Sequence, residues 1–192
     1  ILFTMLAFLY PTLCFEALAM LVYIKVDASY SGEGPFLRAS EGGGYWVKDM
    51  ALVCWSGQHV TAAVIGAVAI VVYALGVPAL FGLSVHLNRA RLGHERVQAR
   101  WLFLYSAYKD RRYYWEAMRL LQILTLSAIK AFGYALQQLV LLFVLQLFLL
   151  VFLFVSLTLR PYKVAVLPTL DAMVYGTVIL GTVLLNFAML PT

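Results

Sequence analysis

From Leu136 to Leu159 the chain runs without a single charged side chain: LQQLVLLFVLQLFLLVFLFVSLTL. At ~1.5 Å of rise per residue, a helix over this stretch crosses a hydrocarbon core of roughly 30 Å. A helix on the surface of a soluble domain keeps one polar face for water, and this one has none. Its ends are marked by Gly133-Tyr134 on one side and by Arg160-Pro161-Tyr162-Lys163 on the other. A chain built around such a segment belongs in a bilayer. Composition agrees: 64% of residues are hydrophobic and 12% are charged, against about 25% charged in ordinary soluble domains.

Four further apolar blocks accompany it: Ile1 to about Ile24, about His59 to Leu87, about Ala117 to Phe132, and about Val166 to Leu190. Together they predict an all-α membrane protein, a bundle of about five transmembrane helices. The third block is the shortest and carries Arg119 and Lys130. Long basic side chains near helix ends reach back to the headgroups, so the block is kept as a span. Only Gly133-Tyr134-Ala135 separates it from the next, which predicts a tight helical hairpin. With 192 residues there is room for one transmembrane domain, 1–192. An apolar run is already under way at Ile1 and another stops just short of Pro191, so the chain reads as a fragment of something larger.

The net charge of +5 is unevenly spread. Residues 88–119 hold Arg89, Arg91, Arg96, Arg100, Lys109, Arg111, Arg112 and Arg119, eight of the fourteen bases, and Arg160 and Lys163 form a second group. The 25–57 loop is net acidic, with Asp27, Glu33, Glu41 and Asp49 against three bases. By the positive-inside rule, the basic loop of 88–116 and the Arg160 turn are cytoplasmic and the Gly-rich 25–57 loop is external. Five spans do put both basic segments on one side. The simplest meaning of the basic loop is this topology signal, with an anionic-lipid or regulatory site as the alternative. Nucleic acid is not an expected partner.

Trp101 to Trp115, WLFLYSAYKDRRYYW, reads as an amphipathic helix lying in the interface. Trp101, Leu104, Tyr105 and Tyr108 recur at helical spacing, and Lys109, Arg111 and Arg112 follow on the polar side. Aromatic rings such as Trp101, Tyr105, Tyr108 and Trp115 suit the headgroup level, and the bases suit anionic lipid. In the second span, Gly76-Val77-Pro78 predicts a kink, because Pro78 cannot donate to the carbonyl of Ala74. The same span carries Ala62 and Gly66, and Ala63 and Ala67, as small-xxx-small pairs for close helix packing.

Polar groups at membrane depth are the usual functional candidates. Here they are Glu16, Gln138, Gln146, Asp171 and Asn186, with Arg119 and Lys130 nearer the span ends. Arg119 and Asp171 lie at similar depth from the cytoplasmic side and can pair, as structural glue with an ion pathway as the alternative. Glu16 has no partner of obvious depth except Lys130, which makes it the stronger functional candidate. Cys14 and Cys54 make no disulfide scaffold. His59, His86 and His94 have no metal-ligand spacing, and no phosphate loop, nucleophile elbow or HExxH helix is present. No enzyme, metal or cofactor is expected. Gly42-Gly43-Gly44 reads as a flexible external turn.

An ordered series of short motifs runs through the chain. These are Tyr10-Pro11 with Cys14, Asp49 with Cys54 and His59, Gly76-Val77-Pro78, Phe103-Leu104-Tyr105 with Tyr108 and Tyr114-Trp115-Glu116, and Arg160-Pro161-Tyr162. In that order they resemble the membrane region of very large surface proteins of algae and other protists. That region is similar to transient-receptor-potential and polycystin channels. The resemblance implies a non-enzymatic module in the plasma or ciliary membrane, in contact with lipid and other membrane subunits and joined to a large ectodomain. One feature departs from a channel. A six-span cation channel needs a pore segment and filter between its last two spans, and here only Arg160 to Ala165 lie between the last two. Two readings stand: a membrane anchor or assembly module, and a cation-channel-like subunit.

Overall fold

The computed structural model of the protein describes residues 2–26, 43–89, 101–102, 104–133 and 136–188. Five long helices form within them: α1 Leu2–Ala19, α2 Gly57–Leu87, α3 Trp115–Phe132, α4 Gln138–Leu159 and α5 Val166–Ala188. Among the described residues, α2, α4 and α5 are long and apolar enough to cross a membrane. At 31 residues α2 is ~46 Å long and overreaches a ~30 Å core. Apolar side chains stand outward all along them, among them Val64, Val71, Phe143, Phe154 and Leu184. That much contiguous apolar surface is foreign to a soluble monomer and fits a helical membrane protein.

Local chemistry sets the helix ends. Ser56 is extended at the start of α2, and its hydroxyl donates to the carbonyl of Val53 at 2.8 Å. Between α3 and α4, the Leu141 side chain packs onto bare Gly133, where a Cβ would make it shift. Arg160 ends α4 in the left-handed region, at φ 42° and ψ 62°. Pro161 follows and cannot continue the helix. Pro168 lies in the first turn of α5, where no intrahelical donor is needed.

The expectation of a bundle alone needs correcting between α1 and α2. Tyr23–Val26 (β1), Gly43–Trp46 (β2) and Asp49–Val53 (β3) form an antiparallel sheet in the order β1-β2-β3. Gly43 and Gly44, read as part of a flexible turn, belong to β2. Gly44 is needed there because a Cβ would meet the Tyr23 ring at 2.9 Å. Residues 27–42, which include the acids Glu33 and Glu41, lie outside the described residues.

The interfacial helix is also corrected. Residues 101, 102, 104 and 105 are helical, but the chain then leaves the helix, bridges to Tyr162 and makes a single 3₁₀ turn over Asp110–Arg112. Most of the aromatic residues of 101–115 are engaged inside the protein. Leu104, Tyr105, Tyr108 and Trp115 are all buried, and Trp101 packs against the core.

Among the described residues three apolar clusters form, a small one of Leu18, Val22 and Ala131 near the sheet and two larger ones. One joins α1, α2 and α3 through Tyr10, Cys14, Ala74, Phe81, Val85 and Leu120, with Leu104 and Tyr105 closing one end. The other joins α4 and α5 to the start of α3 through Trp115, Leu149, Phe152 and Tyr175, with Tyr108 and Tyr162 above them.

Candidate functional site

The densest polar constellation forms where α4 stops. The left-handed Arg160 keeps its N–H on the carbonyl of Ser156 at 3.0 Å, and Pro161 turns the chain back. Tyr162 is thereby laid against Tyr108 in an antiparallel bridge. Lys109 N–H donates to Pro161 O at 2.7 Å, and Lys163 N–H to Ala107 O at 2.9 Å. The two rings lie 5.4 Å apart. Each phenol then reaches a carboxylate on a different helix. Tyr108 donates to Glu116 of α3 at 2.6 Å, and Tyr162 to Asp171 of α5 at 2.9 Å. Ser156 adds a second hydroxyl to the same Asp171 oxygen at 3.1 Å.

Burial pushes both phenols well above the ordinary tyrosine range. The Glu116 carboxylate adds to the push on Tyr108, while Arg119 opposes it at both rings. At neutral pH the two hydroxyls therefore stay protonated and remain donors. One helical turn deeper, Tyr175 donates to Gln122 at 2.8 Å, and Trp115, Phe152 and Tyr175 stack in sequence at 6.0 Å centroid spacing. The arrangement is a latch: it clamps the 101–114 segment, the start of α3 and the α4–α5 turn into one unit. The indole N–H of Trp115, 1% exposed, has no partner among the described residues.

The sequence candidates distribute as follows. Among the described residues Arg119 and Asp171 form no ion pair; Arg119 acts chiefly on the Tyr108 hydroxyl, and Tyr162 feels both Arg119 and Asp171. Glu16 is not matched to Lys130. It forms an ion pair with Lys48 in the β2–β3 turn, because the sheet folds back over the end of α1. Trp46 fixes the same contact, its indole N–H donating to Ala19 O at 3.1 Å. Lys130 lies instead over the Phe15 ring, 4.7 Å from the centroid. Gln138 is the exposed first residue of α4 and so sits at a helix end rather than at depth. Gln146 accepts from Asn186 of α5 at 3.4 Å. Of the small residues, Gly66 makes the close approach, since a Cβ there would meet Ala17 O at 2.9 Å and Met20 Cβ at 2.8 Å. Ala63 is buried beside it and Ala62 is half-buried. Arg111 is exposed, and Arg112 donates to the Tyr114 hydroxyl at 3.0 Å.

Two contacts are not legible in the sequence, the Tyr10 tie to α2 and the Cys54–His59 pair. Pro78 does disturb α2, but the disturbance is a π-helical turn over Ile70–Leu75. The carbonyl of Ala74, deprived of the Pro78 N–H, accepts the Tyr10 hydroxyl at 2.5 Å. Gly76 is ordinary helix at φ −65° and is not what the turn depends on. At the sheet end, fully buried His59 accepts from the Trp55 N–H at Nδ1, 3.1 Å away, and its Nε2 lies 3.7 Å from Cys54 Sγ. An acceptor at Nδ1 puts the ring proton on Nε2, facing the sulfur. Burial pushes the Cys54 thiol up, so the pair is a structural contact and not an activated nucleophile. No group of three or more His, Cys, Asp or Glu gathers to hold a metal among the described residues. Compared with known families, characterised proteins and solved structures, the chain matches none.

Proposed function

We propose that the chain is a non-enzymatic integral membrane module that fixes a large extracellular assembly to the bilayer and packs against other membrane proteins. In this reading all five helices cross. Helix α1 is apolar over Phe8–Ala19, and the charges of α3, Glu116, Arg119 and Lys130, lie toward its two ends. Five crossings put both basic segments on the cytoplasmic side and the sheet outside.

One observation carries the reading: polar ties at both ends of the bundle hold its parts together. Outside, Lys48 to Glu16 and Trp46 to Ala19 couple the sheet to α1. Inside, the two tyrosines couple α3, α4 and α5. Force on the external segment therefore passes into the whole bundle. On the resemblance to the transient-receptor-potential or polycystin-like region of protist surface proteins, the assembly is an ectodomain of the same chain. The membrane is then plasma or ciliary.

A cation-channel-like subunit is the second reading. The π-helical turn of α2 favours it, since such turns recur at functional hinges. Planar-bilayer recording separates the two. The reconstituted protein should pass no cation current, and Glu16→Gln should leave it silent. Robust current that falls with Glu16→Gln would overturn the anchor.

A further inference from the structure

The latch closes one end of the bundle, and Lys130 lies at the other end of α3. There a fissure of ≈ 650 Å³ opens between α1, α3 and α4, with Val178 of α5 also lining it. Its walls are apolar, formed chiefly by Phe15, Ile123, Leu126, Leu141, Leu145 and Leu149. One cation stands at its mouth. Lys130 is exposed and near the end of α3, and the Phe15 ring beneath its ammonium holds it over the opening. Among the described residues no carboxylate pairs with it.

We propose that this fissure binds one phospholipid, its phosphate on Lys130 and one acyl chain running down between α3 and α4. The proposal rests on the helices lying in a bilayer, and not on whether the module anchors or conducts. Depth supports it. Because α3 and α4 form a tight hairpin, Leu141 packs against Gly133 at the level of Lys130. From Lys130 down to Ile123 is ~10 Å of helix, and from Leu141 down to Leu149 is ~12 Å. Either length carries a chain from headgroup level most of the way through one leaflet, ~15 Å of hydrocarbon.

The lining argues against a helix as the occupant. Close helix contacts favour small residues, and this fissure is lined mainly by branched Leu and Ile. An acyl chain gains little from apolar burial when it leaves other lipid. Occupancy therefore depends on fit and on the phosphate–Lys130 attraction.

The test is native mass spectrometry of the protein taken from vesicles of equal parts phosphatidylcholine and phosphatidylglycerol into mild detergent. One phospholipid should remain bound per chain. Leu145→Trp, which fills the fissure, should lose it, and Lys130→Gln should lower occupancy about fivefold. Val151→Trp, on an outward face of α4, should retain it. Absence of bound lipid from the wild type, or equal retention by Leu145→Trp, would overturn the proposal, as would a second copy of the chain held in its place. If Leu145→Trp loses helicity by circular dichroism, Lys130→Gln decides alone. Its exposed position spares the fold, and undiminished retention there overturns the site.

Discussion

Tyr10 and Pro78 act as one device although they lie on different helices. Pro78 leaves the Ala74 carbonyl without its usual donor, and the Tyr10 hydroxyl supplies another from α1. Leaving a buried carbonyl unpaired costs about 1–3 kcal/mol, and measured values in membrane proteins lie toward the low end. Tyr10→Phe should therefore destabilise the protein by about 1 kcal/mol. In a Pro78→Ala background, where the backbone donor returns, the same change should cost less than half as much. Unfolding midpoints in graded detergent denaturation would show it, and equal costs in both backgrounds would break the link. The sequence names Pro78 as a disturbance but cannot name its remedy, because that lies on a distant segment. The same holds for Tyr108 and Tyr162. Each motif is visible alone, and only the fold makes them neighbours. The partner of Glu16 is hidden for a related reason: Lys48 arrives through a sheet that the Gly-rich stretch conceals.

At the scale of elements, an apolar run is a strong signal and a short strand is a weak one. The helices begin and end within a few residues of the apolar blocks because bare helix faces and bilayer thickness both demand such runs. Strand β1 sits at the tail of the first apolar block, and β2 opens on glycines, so neither shows the alternation that marks a half-buried strand. Aromatic residues spaced for a helix misled over 101–115, where tertiary contacts of Tyr108 and Trp115 override local periodicity. Packing between α1 and α2 was legible because it depends on a bare residue. Gly66→Leu should force the backbones apart at Ala17 and Met20, lowering the yield of folded protein severalfold. Val64→Leu, on the outward face of the same helix, should be tolerated. Equal yields of folded protein, read by size-exclusion chromatography, would dispose of that contact.

For the whole molecule, the bundle has two unlike ends. One carries a small sheet tied to α1, and the other a tyrosine latch flanked by exposed Arg89, Arg111, Arg160 and Lys163. A module that couples an outer assembly to the membrane requires the sheet outside and the latch inside. Membrane sidedness is the property on which the anchor, the latch and the basic loop all depend. Single cysteines placed by Ser40→Cys and Ala90→Cys, in a Cys14→Ala, Cys54→Ser background, report it through an impermeant thiol reagent applied to intact cells. The account predicts labelling at position 40 and protection at position 90 until the membrane is permeabilised. Labelling at position 90 with protection at position 40 would contradict it.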